Sequence, residues 1–305
     1  MEFGLRRRFR ELSRLMKSIK YLRSVDFSIN FPHEGDTTIR LPAVNVRSLV
    51  SREGRDFVRR CRDFSRRPTS EPLMRKTVYS LIKNGHIDPT KYFIDIGSWI
   101  ADNTVVWAKL LNAGGVFAVD PSRENLVFGE TVAKYNNLTN VTWIKAVCSE
   151  KSNVPLKILE GDEGHASFDR MDDNKHSQYI SATLDEVVPI SCHKKVSLLH
   201  VDVEGFEEKV ILGAKSIIYN SKPVIVFEQH ISKDHFNRIV ELLVLEYDYR
   251  IFMINEVLQG CSSDCRNFIA FNSSVPIPLF PPAIQHEGRS EGVWYATVGD
   301  SLVRV

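Results

Sequence analysis

Four carboxylates close four short apolar runs. Asp95 ends Tyr92-Phe93-Ile94-Asp95, Asp120 ends the run from Gly115, Asp202 ends the run from Val196, and Glu228 ends Pro223-Val224-Ile225-Val226-Phe227-Glu228. A carboxylate so placed can pair with a cation, accept two hydrogen bonds from a diol, or take a proton from a hydroxyl. The turn after the first run reads Asp95-Ile96-Gly97-Ser98-Trp99-Ile100-Ala101. A dinucleotide turn needs Gly-x-Gly-x-x-Gly so that the backbone can approach a pyrophosphate. Only Gly97 fits that pattern, and Asp95 would repel a pyrophosphate while attracting an ammonium or sulfonium. The acid-x-glycine turn therefore points to S-adenosylmethionine rather than a nicotinamide cofactor.

On this reading Asp95, Gly97 and Ser98 belong to the cofactor site. Asp120 accepts hydrogen bonds from a ribose diol, and Ala146 and Val147, at the end of the third run, lie near the adenine. Asp202 is the expected catalytic centre, with Glu228 and His230 on the next strand and His165 reaching in from the 149–195 segment. Methyl transfer to a hydroxyl requires in-line alignment and removal of a proton, which a positioned Asp, Glu or His can supply. Asp202 and Glu228 could instead hold Mg²⁺, which would acidify the hydroxyl.

These residues need a scaffold that brings strand ends together. Seven β-branched or aromatic runs, beginning near 92, 115, 141, 196, 223, 250 and 267, alternate with helical spacing such as Phe206, Val210, Ile211, Ala214, Ile217 and Ile218. Near-continuous apolar strands separated by helices predict an α/β fold, a seven-stranded Rossmann-like doubly wound sheet with an antiparallel hairpin at one edge. Ligands of such sheets bind beyond the carboxyl ends of the strands. Ahead of the first strand, Ser70 suits an N-cap, Pro72 a first helical turn and Asn84-Gly85 a stop. The chain divides into a basic N-terminal extension, 1–69, a central domain, 70–275, and a Pro-rich tail, 276–305.

The 305 residues carry 40 Lys+Arg against 38 Asp+Glu, and 43% are hydrophobic. Those values exclude disordered and disulfide-scaffold classes, and they argue against nucleic acid as the partner. Five scattered cysteines suit a reducing compartment, and no run approaches the ~18 apolar residues of a membrane span, so a cytoplasmic location is expected. Arginines and lysines between Arg6 and Arg23 interleave with Leu5, Phe9, Leu12, Leu15 and Ile19. This spacing predicts a basic amphipathic helix suited to peripheral contact with an anionic membrane. Nothing in the sequence specifies the oligomeric state.

The most specific local pattern is Asp202-Val203-Glu204-Gly205-Phe206-Glu207, followed by Gly213-Ala214 and by the acid that ends the fifth strand. Together with Asp95-x-Gly97, Ala166 to Phe168 and Thr183-Leu184-Asp185, it resembles the FkbM family of S-adenosylmethionine-dependent methyltransferases over about 90–272. The resemblance implies a class I methyltransferase sheet and O-methylation of a sugar or glycan hydroxyl. The first turn departs from the family pattern at Ser98-Trp99 and Ala101. That departure keeps a second reading open, a catalytically degenerate cofactor-binding partner of glycan-processing enzymes.

Overall fold

The structure, a computed structural model, describes residues 27–42, 51–159, 167–170, 179–231, 234–256, 258, 264–276, 278, 288–290, 293–295 and 302–304. The expected basic helix between Leu5 and Arg23, and His165, lie outside the described residues.

In chain order, a hairpin of β1 (Phe27–Phe31) and β2 (Thr37–Leu41) precedes helices α1 (Arg52–Phe64) and α2 (Pro72–Lys83). There follow β3 (Tyr92–Ile96), α3 (Asp102–Leu110), β4 (Val116–Asp120), α4 (Arg123–Tyr135) and β5 (Val141–Lys145). The next segment holds β6 (Val147–Cys148), β7 (Pro155–Leu159), β8 (Ser167–Arg170), β9 (Tyr179–Ala182) and the single turn α5 (Leu184–Val187). The main sheet resumes with β10 (Val196–Val201), α6 (Glu207–Leu212), α7 (Lys215–Ser221), β11 (Val224–His230), α8 (Asp234–Glu241), β12 (Tyr249–Ile254) and β13 (Cys265–Asn272). Three short strands close the chain: β14 (Gly288–Ser290), β15 (Val293–Tyr295) and β16 (Leu302–Arg304).

The seven expected strands all join one sheet, in the order β16-β12-β13-β11-β10-β3-β4-β5. The strands from β11 to β5 pair in parallel, and β13 runs antiparallel between β11 and β12. The edge hairpin thus turns inward, its later strand filling the gap beside β11. An eighth strand, β16, comes from the Pro-rich tail and covers the exposed edge of β12, which would otherwise leave unpaired backbone groups. Every residue of β4 and β10 is buried, as expected for strands covered on both faces.

Three local expectations are corrected. Ser70 does not cap α2; Glu71 occupies that position with φ 53° and makes no side-chain cap. The first free amides of α2, those of Leu73 and Met74, donate instead to the Glu256 carboxylate at 2.9 and 3.1 Å. The third strand leaves the main sheet after Lys145, and Val147–Cys148 pairs with β9 in a separate four-stranded sheet. The helix after β10 is two helices, broken at Gly213, where a side chain would meet the Ser149 carbonyl at 2.2 Å.

Residues 27–69 share a core with the central segment. Ile29, Phe31, Ile39, Leu41, Cys61 and Phe64 pack with Ile100, Ala101, Val105, Val106 and Phe128. This packing sets the hairpin and α1 against α3, α4 and the turn after β3.

Candidate functional site

The turn after β3 alternates in handedness. Gly97, Trp99 and Ala101 take φ of 80°, 41° and 58°, so every second residue is left-handed although only one is glycine. At Gly97 the requirement is absolute, because an added Cβ would lie 1.7 Å from the backbone oxygen of Asp202. The amide of Asp202 also donates to the Ile96 carbonyl at 3.0 Å, which locks the ends of β3 and β10 together. Ser98 is buried in this turn, and its hydroxyl has no hydrogen bond among the described residues.

Asp95 and Asp120 are committed to the protein. His200 Nδ1 lies 2.8 Å from Asp95 Oδ1, and the Thr104 hydroxyl donates to Oδ2. Asp120 accepts from the amides of Trp99 at 2.9 Å and Ser122 at 2.8 Å, and from Asn125 Nδ2 at 3.0 Å. Burial pushes the Asp120 carboxyl up to about 6 despite those donors and the nearby Arg60. Both acids therefore shape the turn from within.

A hollow open to solvent lies beside the turn. Its walls are Ile96, Gly97, Val119, Pro121, Ala146, Val147, Cys148, Val203 and Phe206. Gly97, Ala146 and Val147 meet there, whereas Asp95 and Asp120 are not among its walls. Apolar side chains around a backbone-exposing glycine suit the flat face of a purine.

Asp202 stands where β10 leaves the sheet, half-buried, and its carboxylate accepts no hydrogen bond among the described residues. Burial pushes its carboxyl well above the usual range; His200 opposes this, and Glu71, Glu204 and Glu207 add to it. The turn that follows it is held by Glu207, whose carboxylate accepts from the amides of Val203 and Gly205 at 3.1 Å and from Gln229 Nε2 at 3.0 Å. Glu204 and Gly205 are left-handed in that turn, with φ of 53° and 100°. Glu228 accepts from the Cys265 thiol at 2.9 Å, and His230 Nδ1 lies 3.1 Å from Asp264 Oδ1. Glu228 and His230, both on β11, are thus held by Cys265 on β13 and by Asp264 just before it.

A family model for the methyltransferase FkbM domain matches residues 95–251. The chain belongs to the FkbM methyltransferase family. The matched model is that of a methyltransferase domain. Among solved structures it is similar to methyltransferase FkbM from Methylobacillus flagellatus KT at 14% identity and TM-score 0.43, over 74% of this chain and 62% of that one. The chain therefore spans less than two thirds of that relative. It is also similar to precorrin-6y C5,15-methyltransferase from Geobacter metallireducens GS-15, at 15% identity and TM-score 0.38 over 67% of this chain and 94% of that one. A SAM dependent methyltransferase from Aquifex aeolicus aligns at 12% identity and TM-score 0.39, over 70% and 97% of the two chains. No curated protein matches.

The FkbM reading of the sequence omitted a buried ionic network beside the site. Arg67 pairs with Glu71 and Asp102; Arg75 reaches Asp102 at 2.5 Å and Glu34 at 3.5 Å. Asn267 Nδ2 donates to Glu71 at 2.7 Å, tying the network to β13. Burial favours a neutral Asp102, yet Arg67 and Arg75 hold its carboxyl down at about 2. His200, 2% exposed and two residues before Asp202, was also missed.

Among the described residues no three His, Cys, Asp or Glu side chains gather as a metal site. The expectation of Mg²⁺ between Asp202 and Glu228 is therefore not supported; the Glu228 carboxylate serves as acceptor for the Cys265 thiol. No described helix is long and apolar enough to cross a membrane.

Proposed function

We propose that this FkbM methyltransferase methylates a hydroxyl of a sugar or glycan, with Asp202 as general base. When bound, S-adenosylmethionine supplies a methyl carbon activated by its sulfonium. The hollow between Val119, Val147 and Phe206 seats the adenosine, and Gly97 allows close approach of the backbone. The observation that carries the reading is Asp202: a strand-end carboxylate beside Gly97 that accepts no hydrogen bond among the described residues. Its raised affinity for a proton suits proton removal from an alcohol, and the Glu207-held turn keeps it in place. As the acceptor oxygen would bond to the methyl carbon, the sulfur–methyl bond would break to leave S-adenosylhomocysteine, and an Asp202 oxygen would take the acceptor's proton. The saccharide class is the one the family resemblance implies.

Methyl transfer to a panel of glycans and free sugars tests this. Asp202→Asn is expected to lower kcat by about 10²–10⁴, with affinity for S-adenosylhomocysteine nearly unchanged; equal loss of both would make Asp202 a cofactor contact. A degenerate cofactor-binding partner is the second reading, favoured by the inward commitment of Asp95 and Asp120. It predicts S-adenosylhomocysteine binding without methyl release on any acceptor.

A further inference from the structure

Arg67 stands where the N-terminal segment meets the turn after β3. Its Nε donates to Asp102 and its Nη2 to Glu71, while its guanidinium lies 5.6 Å from the centre of the Trp99 ring. Fixed on these sides, the side chain keeps 19% of its surface exposed, and Nη1 makes no hydrogen bond among the described residues. The two acids do not belong to Arg67 alone. Asp102 is shared with Arg75, and Glu71 with Asn267.

The site thereby presents both signs of charge. Asp202 lies within electrostatic reach of Arg67, and the other charged groups around Asp202 are Glu71, Glu204 and Glu207, with His200 behind. Gly97 borders the hollow and touches the Asp202 backbone, while Trp99, two residues on, touches Arg67. Arg67 is not itself a wall of the hollow, but a nucleoside there whose amino-acid arm extends past Gly97 towards Trp99 would meet acids for its ammonium and the Arg67 guanidinium for its carboxylate. A held guanidinium loses little freedom on binding, and planar recognition of carboxylate is what its geometry favours.

We propose that Arg67 is a cofactor-binding residue whose Nη1 edge receives the amino-acid carboxylate of S-adenosylmethionine, so that the N-terminal segment completes the cofactor site. The proposal rests on the seat for adenosine argued above. The test is calorimetry of the full chain with S-adenosylhomocysteine and with its decarboxylated analogue. The unmodified protein is expected to favour the carboxylate-bearing ligand by about 10- to 100-fold. Arg67→Gln should erase that preference while leaving affinity for the analogue unchanged. An equal loss for both ligands, or a preference that survives the substitution, would overturn the proposal. If Arg67→Gln does not fold, the unmodified protein still decides, since a lack of preference overturns the idea. Arg67→Lys, a milder change without the planar edge, should lose most of the preference, and its full retention would count against the proposal. Failure of the unmodified protein to bind either ligand would overturn the adenosine seat as well, which separates the two failures.

Discussion

His200 Nδ1 lies 2.8 Å from Asp95 Oδ1, with both side chains buried and their residues paired across β10 and β3. The Trp107 ring meets the imidazole edge-on at 5.2 Å, and the Thr104 hydroxyl occupies the second carboxylate oxygen. The acid expected to face the cofactor is thus spent inside the sheet.

Removing one member of this pair leaves the other without its partner in the core. Burial opposes a charged imidazole, but the bond to Asp95 keeps His200 raised above the usual histidine range. His200→Leu is expected to cost about 3–5 kcal/mol in urea unfolding. A loss below about 1 kcal/mol, the level of a surface pair, would show that the pair is not a buried ion pair.

The pH dependence of stability has a definite sign. Burial raises Glu34 and Glu256 to about 7 and Asp120 to about 6, and His200 is raised as well. A group raised on folding stabilises below its unfolded pKa, and that contribution is lost as pH rises through the folded value. Asp102, held at about 2 against 3.8, acts oppositely: its contribution is present above 3.8 and lost as pH falls towards 2. Thermal unfolding is therefore expected at a higher temperature at mildly acidic pH than at pH 8, with a steep drop below the ordinary carboxylate range. A midpoint that climbs steadily from acid to alkaline pH would contradict this.

Gly97→Ala places a methyl 1.7 Å from the Asp202 carbonyl and a side chain at φ 80°. The ends of β3 and β10 must separate, so binding of S-adenosylhomocysteine should fall below detection even where far-ultraviolet circular dichroism still reports a folded chain. Near-normal affinity would remove Gly97 from the cofactor site.

Glu207 is the clamp of the turn after Asp202. Glu207→Leu removes the acceptor for the amides of Val203 and Gly205 and for Gln229, and a buried unsatisfied donor costs about 1–3 kcal/mol. A denaturant midpoint lowered to match, together with slower methyl transfer than Asp202 geometry allows in the unmodified chain, is the expected result. Unchanged stability would mean that the turn holds without it.

The sheet was legible because its strands are marked by local chemistry: continuous apolar runs ending in acids, separated by segments of helical period. The same patterning singled out Gly97, Ala146 and Val147, which line one hollow, and Asp202, which follows the end of β10. Backbone conformation was less legible. Trp99 and Ala101 adopt the left-handed region that the sequence would assign to glycine, held there by the Trp99 amide on Asp120 and by packing around Ala101.

What the amino acids alone determined was the order of the seven strands β3, β4, β5 and β10 to β13 and the family pattern, since both rest on short local motifs. Tertiary structure decided which way each acid points, because that depends on partners far away in the chain. His200 turns Asp95 inward across 105 positions, Glu256 caps α2 across 183, and Asn267 holds Glu71 across 196. Such bonds form only after the sheet has brought their strands together, so local periodicity carries no trace of them.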